Sequence, residues 1–435
     1  MLIRKEFILT TLIVILTRGM PIIVLPLLTA GLSLSEYGLF TIFILLMNLA
    51  APVITGNMAA GILREGIKFH QRGFKLLQLI CISSLILVSF VLFVSLIADI
   101  KITYIFVSIL IITTGHHECL IAYFRARYND RKFLFLSIGR AISLLFPAIL
   151  VSQNYLDFDG LLQYFCVGYV ITSLIMSPHN LWTTPISKTH LVYLRFAFVY
   201  CIFLIPYAIG QWVISSSSRA LVGKLDTLEN AGIFAIAFTV ASPIILLFSV
   251  CGIIFSRSII AKPEKWLSDS KYRHKIIFFV ILSALICTIL SLKVILIDYK
   301  YFKLIKYYSP DLILVTGLTS ISLLFHCMYS IYGNILFYLK ATKILAANSI
   351  IIAIFHLFHS YILILKIGII GAVVSLWISY FLIYISTFLA VRKKTSYKLV
   401  KSNIDVIILI VGMALQGFLV LYFHLEWNNL YISNY

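Results

Sequence analysis

The chain has 435 residues, of which 61% are hydrophobic and only 12% are charged, and its formal net charge is +19. About 25% of residues are charged in soluble domains, so this composition excludes an ordinary soluble enzyme or binding domain. The positive charge does not require a nucleic-acid partner. Basic loops on the cytoplasmic face of a membrane meet anionic lipid head groups instead.

Long apolar stretches occupy most of the chain, and each is long enough to cross a bilayer. About 20 apolar residues in a helix cover the roughly 30 Å of hydrocarbon, where only helices and closed barrels satisfy their backbone groups. The stretches are continuous rather than alternating, which predicts helices. The thirteen predicted spans are 7–30, 37–62, 75–98, 103–124, 133–152, 161–178, 195–221, 231–256, 276–297, 311–338, 344–365, 368–391 and 403–423.

Lysine and arginine concentrate in every second connection between the spans, starting with Arg4 and Lys5. Basic loops remain in the cytoplasm, so we expect the N-terminus inside and, with an odd number of spans, the C-terminus outside. The opposite side has fewer cations, among which we count Arg219. The first apolar run continues as a full span without a convincing cleavage site, which favours a retained helix over a signal peptide.

The pattern of the first half of the chain returns in the second half. Residues 38–42 (Gly-Leu-Phe-Thr-Ile) recur as residues 232–236 (Gly-Ile-Phe-Ala-Ile), 194 positions later. Further correspondences follow in the same order, namely Pro52 with Pro243 and Arg64 with Arg257. Their common order indicates a duplication of six helices. Because six is even, both copies enter from the cytoplasm, which makes the repeat parallel.

We therefore predict an all-α polytopic membrane protein with two six-helix lobes and one additional C-terminal transmembrane helix. The predicted lobes are residues 1–180 and 181–392, and residues 393–435 hold the additional helix and the tail. All seven cysteines lie within predicted spans, so we expect no disulfide framework.

Four passages resemble the polysaccharide transporter family, the O-antigen flippases of the multidrug/oligosaccharidyl-lipid/polysaccharide exporter superfamily. The passages are Leu25–Phe40 (with Leu-Pro-Leu-Leu and Ser-Glu-Tyr-Gly-Leu-Phe), Gly61–Glu65, Leu225–Phe234 and Leu365–Ala372. The resemblance implies two six-helix bundles that rock around a central cationic cavity. It also implies a cargo of undecaprenyl-diphosphate-linked oligosaccharide.

Arg18 is the sharpest candidate for contact with cargo, because it lies deep within the first predicted span. A charge at the bilayer centre costs about 2.5–3.5 kcal/mol on insertion scales, and a guanidinium matches the geometry of a diphosphate. The alternative is a structural hydrogen bond to a neighbouring helix. Arg18 corresponds to Gln211 in the second copy, which indicates two helices that face a shared polar interior.

Arg140 and Glu118 form the second candidate group. Their similar depths allow a salt bridge between the fourth and fifth spans, which would be structural. Alternatively, Arg140 contacts cargo, and Glu118 with His116 or His117 forms a coupling-ion or proton site, since an imidazole beside a carboxylate titrates near neutral pH. We predict no metal site, because no second ligand cluster faces these residues.

Arg64 and Arg257 stand at matching cytoplasmic corners, where they could meet anionic cargo or simply set the topology. We predict no cofactor. Transport would be coupled to protons, to sodium or to the membrane potential.

The most consistent function is transport of a lipid-linked oligosaccharide across the bacterial inner membrane, for synthesis of O-antigen or a related surface polysaccharide. Expected partners are membrane lipids, a polysaccharide polymerase and a chain-length regulator. The alternatives are an ion-coupled multidrug exporter of the same superfamily and a membrane polymerase. The polymerase is disfavoured because the external connections are short. Neither an ATP-binding motif nor a large extramembrane segment indicates an enzyme.

The alternation of basic loops generates a test of topology. A C-terminal fusion to alkaline phosphatase, which is active only outside, should be active, whereas the same fusion to green fluorescent protein should be dark. A fluorescent C-terminal fusion would contradict the predicted odd number of spans.

Overall fold

The described part of the protein is helical, with no β-strand. The computed structural model describes residues 12–13, 16, 19–98, 101–127, 129–249, 270–302, 305, 307–309, 311–339, 341–394 and 404–432. In chain order the helices are α1 (Met20–Gly31), α2 (Leu34–Ile54), α3 (Met58–Lys68), α4 (His70–Ala98), α5 (Ile102–Ala126), α6 (Asp130–Ser152), α7 (Phe158–Met176), α8 (Asn180–Thr183), α9 (Lys188–Cys201), α10 (Leu204–Leu225), α11 (Leu228–Ala241), α12 (Ser270–Ile297), α13 (Leu312–Tyr338), α14 (Thr342–Lys394) and α15 (Ile404–Ile432).

Each of the thirteen predicted spans coincides with helix in the described residues, which confirms an all-α polytopic membrane fold. By length and composition, nine described helices can cross a membrane, and up to eleven spans result if each bent pair counts as one. The 53 residues of α14 cover two predicted spans, joined at a kink. The short apolar helix α1 falls within the first predicted span.

Two breaks in the helices depend on backbone conformations that residues with a Cβ rarely adopt. Gly56 and Asn57, with φ of +59° and +54°, separate α2 from α3 within the predicted span 37–62. Gly368, with φ of +56° and ψ of −136°, makes the kink in α14. Glycine enters this part of φ/ψ space without a steric penalty, which explains its place at the kink.

The chain forms two compact units. The first contains Ile42–Ile209 with the described residues up to Met20, and the second contains Pro21–Thr41 with the described residues from Gly210 onwards. These limits differ from the lobe limits that the sequence predicts at residues 180 and 392. The additional helix α15 belongs to the second unit. The lobes as products of a duplication remain a prediction.

The first unit is stabilised by an apolar core and by buried hydrogen bonds of the Gln78 side chain. Residues from α3 to α6 meet in the core, including Ile62, Leu76, Leu120 and Leu136, all fully buried. The Gln78 amide clamps the segment around α8, because its Nε2 donates to the carbonyl oxygens of Leu181 and Thr184 at 3.1 and 2.6 Å. Its Oε1 lies 2.9 Å from Nε2 of His190. These buried polar groups are therefore satisfied.

In the second unit, α15 packs against α12 and against the loop that follows α12. Gln416 of α15 donates to Thr288 of α12 at 3.0 Å. The fully buried Trp427 lies edge-on to Tyr299, with ring centroids 4.8 Å apart. Tyr308 in the loop donates to Asp298, and burial, followed by this hydrogen bond, raises the pKa of the Tyr308 phenol.

The capping arrangement at the start of α2 recurs at the start of α11, at equivalent positions of the repeat. Ser33 precedes α2 and forms a capping box with Glu36, since the Glu36 N–H donates to Ser33 Oγ at 3.2 Å and the Ser33 N–H donates to the Glu36 carboxylate at 2.8 Å. Thr227, 194 positions after Ser33, caps α11 by accepting from the Asn230 N–H at 3.1 Å. The repeat therefore includes the signals that begin the two helices.

The repeated glycines bring the two helix starts into direct contact. A Cβ on Gly38 would lie 2.5 Å from the carbonyl oxygen of Leu228, and a Cβ on Gly232 would lie 2.5 Å from the carbonyl oxygen of Leu34. Leu34 and Leu228 are themselves equivalent residues of the repeat. Such reciprocal contact is the signature of a two-fold relation between two segments. It supports the duplication at these helices.

This contact leaves no room for a methyl group, so Gly38→Ala and Gly232→Ala should each destabilise the second unit. Overpacking of a tight contact costs about 1–3 kcal/mol, and we expect a lower thermal unfolding midpoint for the detergent-solubilised protein. The matched control is Gly417→Ala in α15, where a Cβ would meet no atom within 4 Å. Equal midpoints for all three variants would refute the role of the contact.

Candidate functional site

In the first unit, Arg140 and Glu118 form an ion pair between α6 and α5. Arg140 Nη1 lies 3.0 Å from Glu118 Oε1, and the two side chains are 24% and 45% exposed. The guanidinium also lies over the ring of Tyr169, 5.8 Å from its centroid. The structure therefore contains the interhelical salt bridge that the depths of these residues predict.

The adjacent histidines point away from Glu118 and towards α7. His116 Nε2 lies 3.2 Å from Ser177 Oγ, and His117 Nδ1 lies 3.4 Å from Ser173 Oγ. Within the described residues, the second ring nitrogen of each histidine is buried without a hydrogen-bond partner. The structure thus does not bring these imidazoles together with the carboxylate, and the role of His116 and His117 in ion coupling remains a prediction.

A small pocket lies beside His116, between α4, α5 and α7. Its volume is about 140 Å³, and its lining combines apolar side chains such as Val88 and Ile112 with Cys81 and Ser173. This apolar lining fits hydrocarbon better than a charged group, since an unpaired charge there would lose its hydration.

The other predicted site residues lie in different places. Gln211 of α10 donates to Ser349 Oγ of α14 at 2.9 Å, so its amide joins two helices of the second unit. Arg64 is exposed on α3. Arg18 and Arg257 lie outside the described residues, so their proposed contacts with cargo stay predictions.

The second unit contains a buried cation that the sequence analysis assigned to the external side. Arg219 is 9% exposed and lies in α10, which continues past it to Leu225. Its guanidinium carbon lies 4.3 Å from the centroid of the Phe238 ring. The phenols of Tyr37 and Tyr380 are close enough to interact with its charge. The sequence counts Arg219 with the cations of the external side, and the structure adds that its side chain is buried against an aromatic ring.

No carboxylate compensates Arg219 in the part of the chain that the structure describes. The ion pairs there are Arg72–Glu65 and Arg140–Glu118, and the buried Nε of Arg219 has no hydrogen-bond partner. The nearby side chains of Tyr37 and Tyr380 are phenols, which supply no full negative charge to compensate the guanidinium. An aromatic face contributes only about 2 kcal/mol to a desolvated cation.

A buried, unpaired charge costs several kcal/mol, and ionisable groups within membrane helices usually mark functional pathways. The Nε–H of Arg219 is a buried donor without an acceptor, a group that an anion would satisfy. Arg219 with Tyr37, Phe238 and Tyr380 is therefore a candidate anion-binding site. We call it the Arg219 site.

The sequence matches no protein-family model and no curated protein. Solved structures do match. An inward-facing multidrug resistance MATE family transporter of the MOP superfamily superposes with a TM-score of 0.60 at 14% identity, over 87% of this chain and 96% of that chain. The outward-facing conformation of such a transporter gives 0.57 at 15% identity, over 88% and 94%.

A third structure is a MOP superfamily transporter from Pyrococcus furiosus, in which a reverse polarity of the binding pocket suggests a different function. Its TM-score is 0.57 at 14% identity, over 89% of this chain and 95% of that chain. This chain has the fold of MATE transporters. The identities are too low to carry a substrate from these proteins to this one.

The Arg140–Glu118 geometry generates a double-mutant test. Glu118→Gln and Arg140→Gln should each lower the free energy of unfolding, and the double variant should lose less than the sum, with a coupling of about 1 kcal/mol or more. The matched control is the Arg72–Glu65 pair at 3.3 Å, which joins the end of α3 to the start of α4 and for which we expect about 0–1 kcal/mol. Additive losses at Arg140 and Glu118 would show that the pair is not structural.

Proposed function

We propose that this protein is a membrane transporter that works by alternating access. Support comes from the fold, which it shares with transporters whose structures include inward-facing and outward-facing conformations. Alternation between two such states moves a cargo past the membrane without opening a continuous pore. A ligand or gradient can drive the cycle only through a difference in affinity between the two states.

We propose further that its cargo is anionic, of the class of polyprenyl-diphosphate-linked oligosaccharides. The observation that carries this proposal is the Arg219 site, a buried guanidinium without a carboxylate partner in the described residues. A diphosphate would supply the missing hydrogen-bond acceptors and the missing negative charge. The family resemblance of the sequence motifs points to the same cargo, and Arg18 would be a second contact.

The second candidate is export of drugs, which is the function that the names of several structural neighbours carry. A cationic drug would need a buried carboxylate in the transport path. Glu118 is the carboxylate that the sequence places deepest within a predicted span, and in the structure it forms an ion pair with Arg140. This pairing favours the anionic cargo.

The proposed setting is the inner membrane of a bacterium, in the synthesis of O-antigen or a related surface polysaccharide. A polymerase and a chain-length regulator would then act on the transported product. This setting follows from the proposed cargo, so evidence against the cargo would also be evidence against the setting.

The test reconstitutes the protein in vesicles of phosphatidylethanolamine and phosphatidylglycerol. The probe is a polyprenyl-diphosphate N-acetylglucosamine with a nitrobenzoxadiazole dye on the sugar, and external dithionite reports when the dye reaches the outer leaflet. The protein should accelerate this movement. Arg219→Ala should reduce the rate by about tenfold or more, the loss expected for a hydrogen bond to a charged group, and Arg219→Lys should keep part of the activity.

Arg127→Ala, which removes an exposed cation at the end of α5, is the matched control and should retain the wild-type rate. Arg18→Ala tests the sequence prediction in the same vesicles. Full activity of Arg219→Ala would refute the Arg219 site as the cargo contact. Efflux of ethidium without movement of the diphosphate lipid would refute the anionic cargo and favour the drug exporter.

A further inference from the structure

The pocket beside His116 in the first unit opens towards the hydrocarbon of the membrane. Leu85 of α4 and Leu174 of α7 form part of its lining and are 44% and 54% exposed. The exposed surface of α4 next to Leu85 is apolar as well, with Ile86 and Phe90 exposed by 63% and 62%. Exposed apolar side chains within a span contact lipid chains, so a molecule that fills the pocket enters from the bilayer.

The lining is apolar at one level of the membrane and carries polar groups at another. Only three residues separate α4 from α5, so the two helices run antiparallel. This brings Val88 level with Ile109, and Cys81 level with His116, where Ser173 of α7 also lines the pocket. The two levels are about 10 Å apart along the helices. The pocket therefore suits a molecule with a hydrocarbon body and one polar end.

His116 has an unused hydrogen-bond acceptor at the polar end. Ser177 Oγ donates to the carbonyl oxygen of Ser173 at 2.7 Å, so its proton is not available to the imidazole. Ser177 Oγ therefore accepts from His116 Nε2, which lies 3.2 Å away. In a neutral imidazole with its proton on Nε2, the other nitrogen is an acceptor. This nitrogen, Nδ1, is buried without a partner among the described residues.

The hydroxyl group that lies one helical turn before His116 does not supply the missing donor. Thr113 also lines the pocket, but its Oγ1 donates to the carbonyl oxygen of Ile109 at 2.7 Å. A buried polar atom without a partner costs about 1–3 kcal/mol. A ligand that brings a donor to His116 Nδ1 would recover part of this cost.

The size of the pocket limits how much of a ligand it holds. Its volume is about 140 Å³, and an apolar cavity of about 150 Å³ in a protein takes up a molecule of the size of benzene. The pocket therefore has room for a polar end and a short stretch of chain. The remainder of a longer chain would pass between Leu85 and Leu174 into the bilayer.

We propose that this pocket binds a neutral lipid alcohol, whose hydroxyl group donates to His116 Nδ1 and whose chain packs against Val88 and Ile109. An ester carbonyl or a quinone oxygen only accepts hydrogen bonds and leaves Nδ1 unsatisfied. A charged head group would lose its hydration in this lining without gaining a partner of opposite charge. Binding of such an alcohol does not depend on which cargo the protein carries.

The direct test uses the full-length protein in vesicles of phosphatidylethanolamine and phosphatidylglycerol, with an octanol that carries a diazirine on its chain as the probe. Illumination attaches the probe to the side chains that it contacts, and mass spectrometry of the digested protein locates it. We expect saturable labelling of peptides from α4, α5 and α7. An excess of 1-octanol should prevent it, whereas octyl methyl ether, which has no donor, should not.

Two variants separate the volume of the pocket from its acceptor. Val88→Trp fills the pocket and should abolish the saturable labelling. Phe93→Trp, at an exposed position of the same helix outside the pocket, is the matched control and should label like the wild type. His116→Phe keeps a ring and removes the acceptor, so half-maximal labelling should need about three- to tenfold more probe, the loss expected for one hydrogen bond.

Ile109→Phe provides a second way to fill the pocket if Val88→Trp fails to fold. Unchanged saturable labelling of a folded, filled variant would overturn the site. Equal protection by octyl methyl ether, or unchanged affinity of His116→Phe, would overturn the role of the hydroxyl group.

Two further competitors distinguish the sources of a lipid alcohol. Protection by farnesol would support the proposal with an isoprenoid alcohol as the ligand, and protection by 1,2-dioctanoylglycerol would support it with a glycerolipid. Protection by 1-octanol but by neither of these two would show a site for short alcohols only and would overturn the proposal.

Discussion

The reciprocal contact of Gly38 and Gly232 is the constraint on which the second unit depends. Each glycine admits the backbone carbonyl of the leucine that begins the partner helix. In a membrane, where apolar side chains gain little from leaving lipid, close backbone approach at small residues is a main source of helix association. The capping residues Ser33 and Thr227 fix where the two helices begin and thereby bring the glycines into register.

This contact also builds the candidate site. Tyr37 is the neighbour of Gly38 on α2, and Phe238 lies further along α11, the helix of Gly232. Both side chains surround the guanidinium of Arg219, which α10 supplies. The site therefore results from a packing motif that recurs in the sequence, combined with one cation that has no ionic partner among the described residues.

The sequence predicts much of the fold, because apolar length and loop charge are properties of single segments. The positions of the apolar helices follow from hydropathy, and the Arg140–Glu118 pair is one of the two arrangements that the similar depths of these residues allow. The Arg219 site could not be predicted in this way. Hydropathy indicates how deep a residue lies along its own helix, but it does not indicate which residues of other helices pack against it. Arg219 lies near the predicted end of a span, and only the observed packing of its guanidinium against Phe238 of another helix shows that it is buried. The hydrogen bond between Ser218 and His356 likewise joins residues that are 138 positions apart in the chain.

Native mass spectrometry of the purified protein shows whether Arg219 holds an anionic cargo. We expect the wild-type protein, incubated with a polyprenyl-diphosphate N-acetylglucosamine, to retain one bound molecule that survives removal of detergent. The Arg219→Leu variant, which keeps the volume and loses the charge, should release it. Equal retention by both proteins, or retention by neither, would contradict the assignment of Arg219 as the anion site.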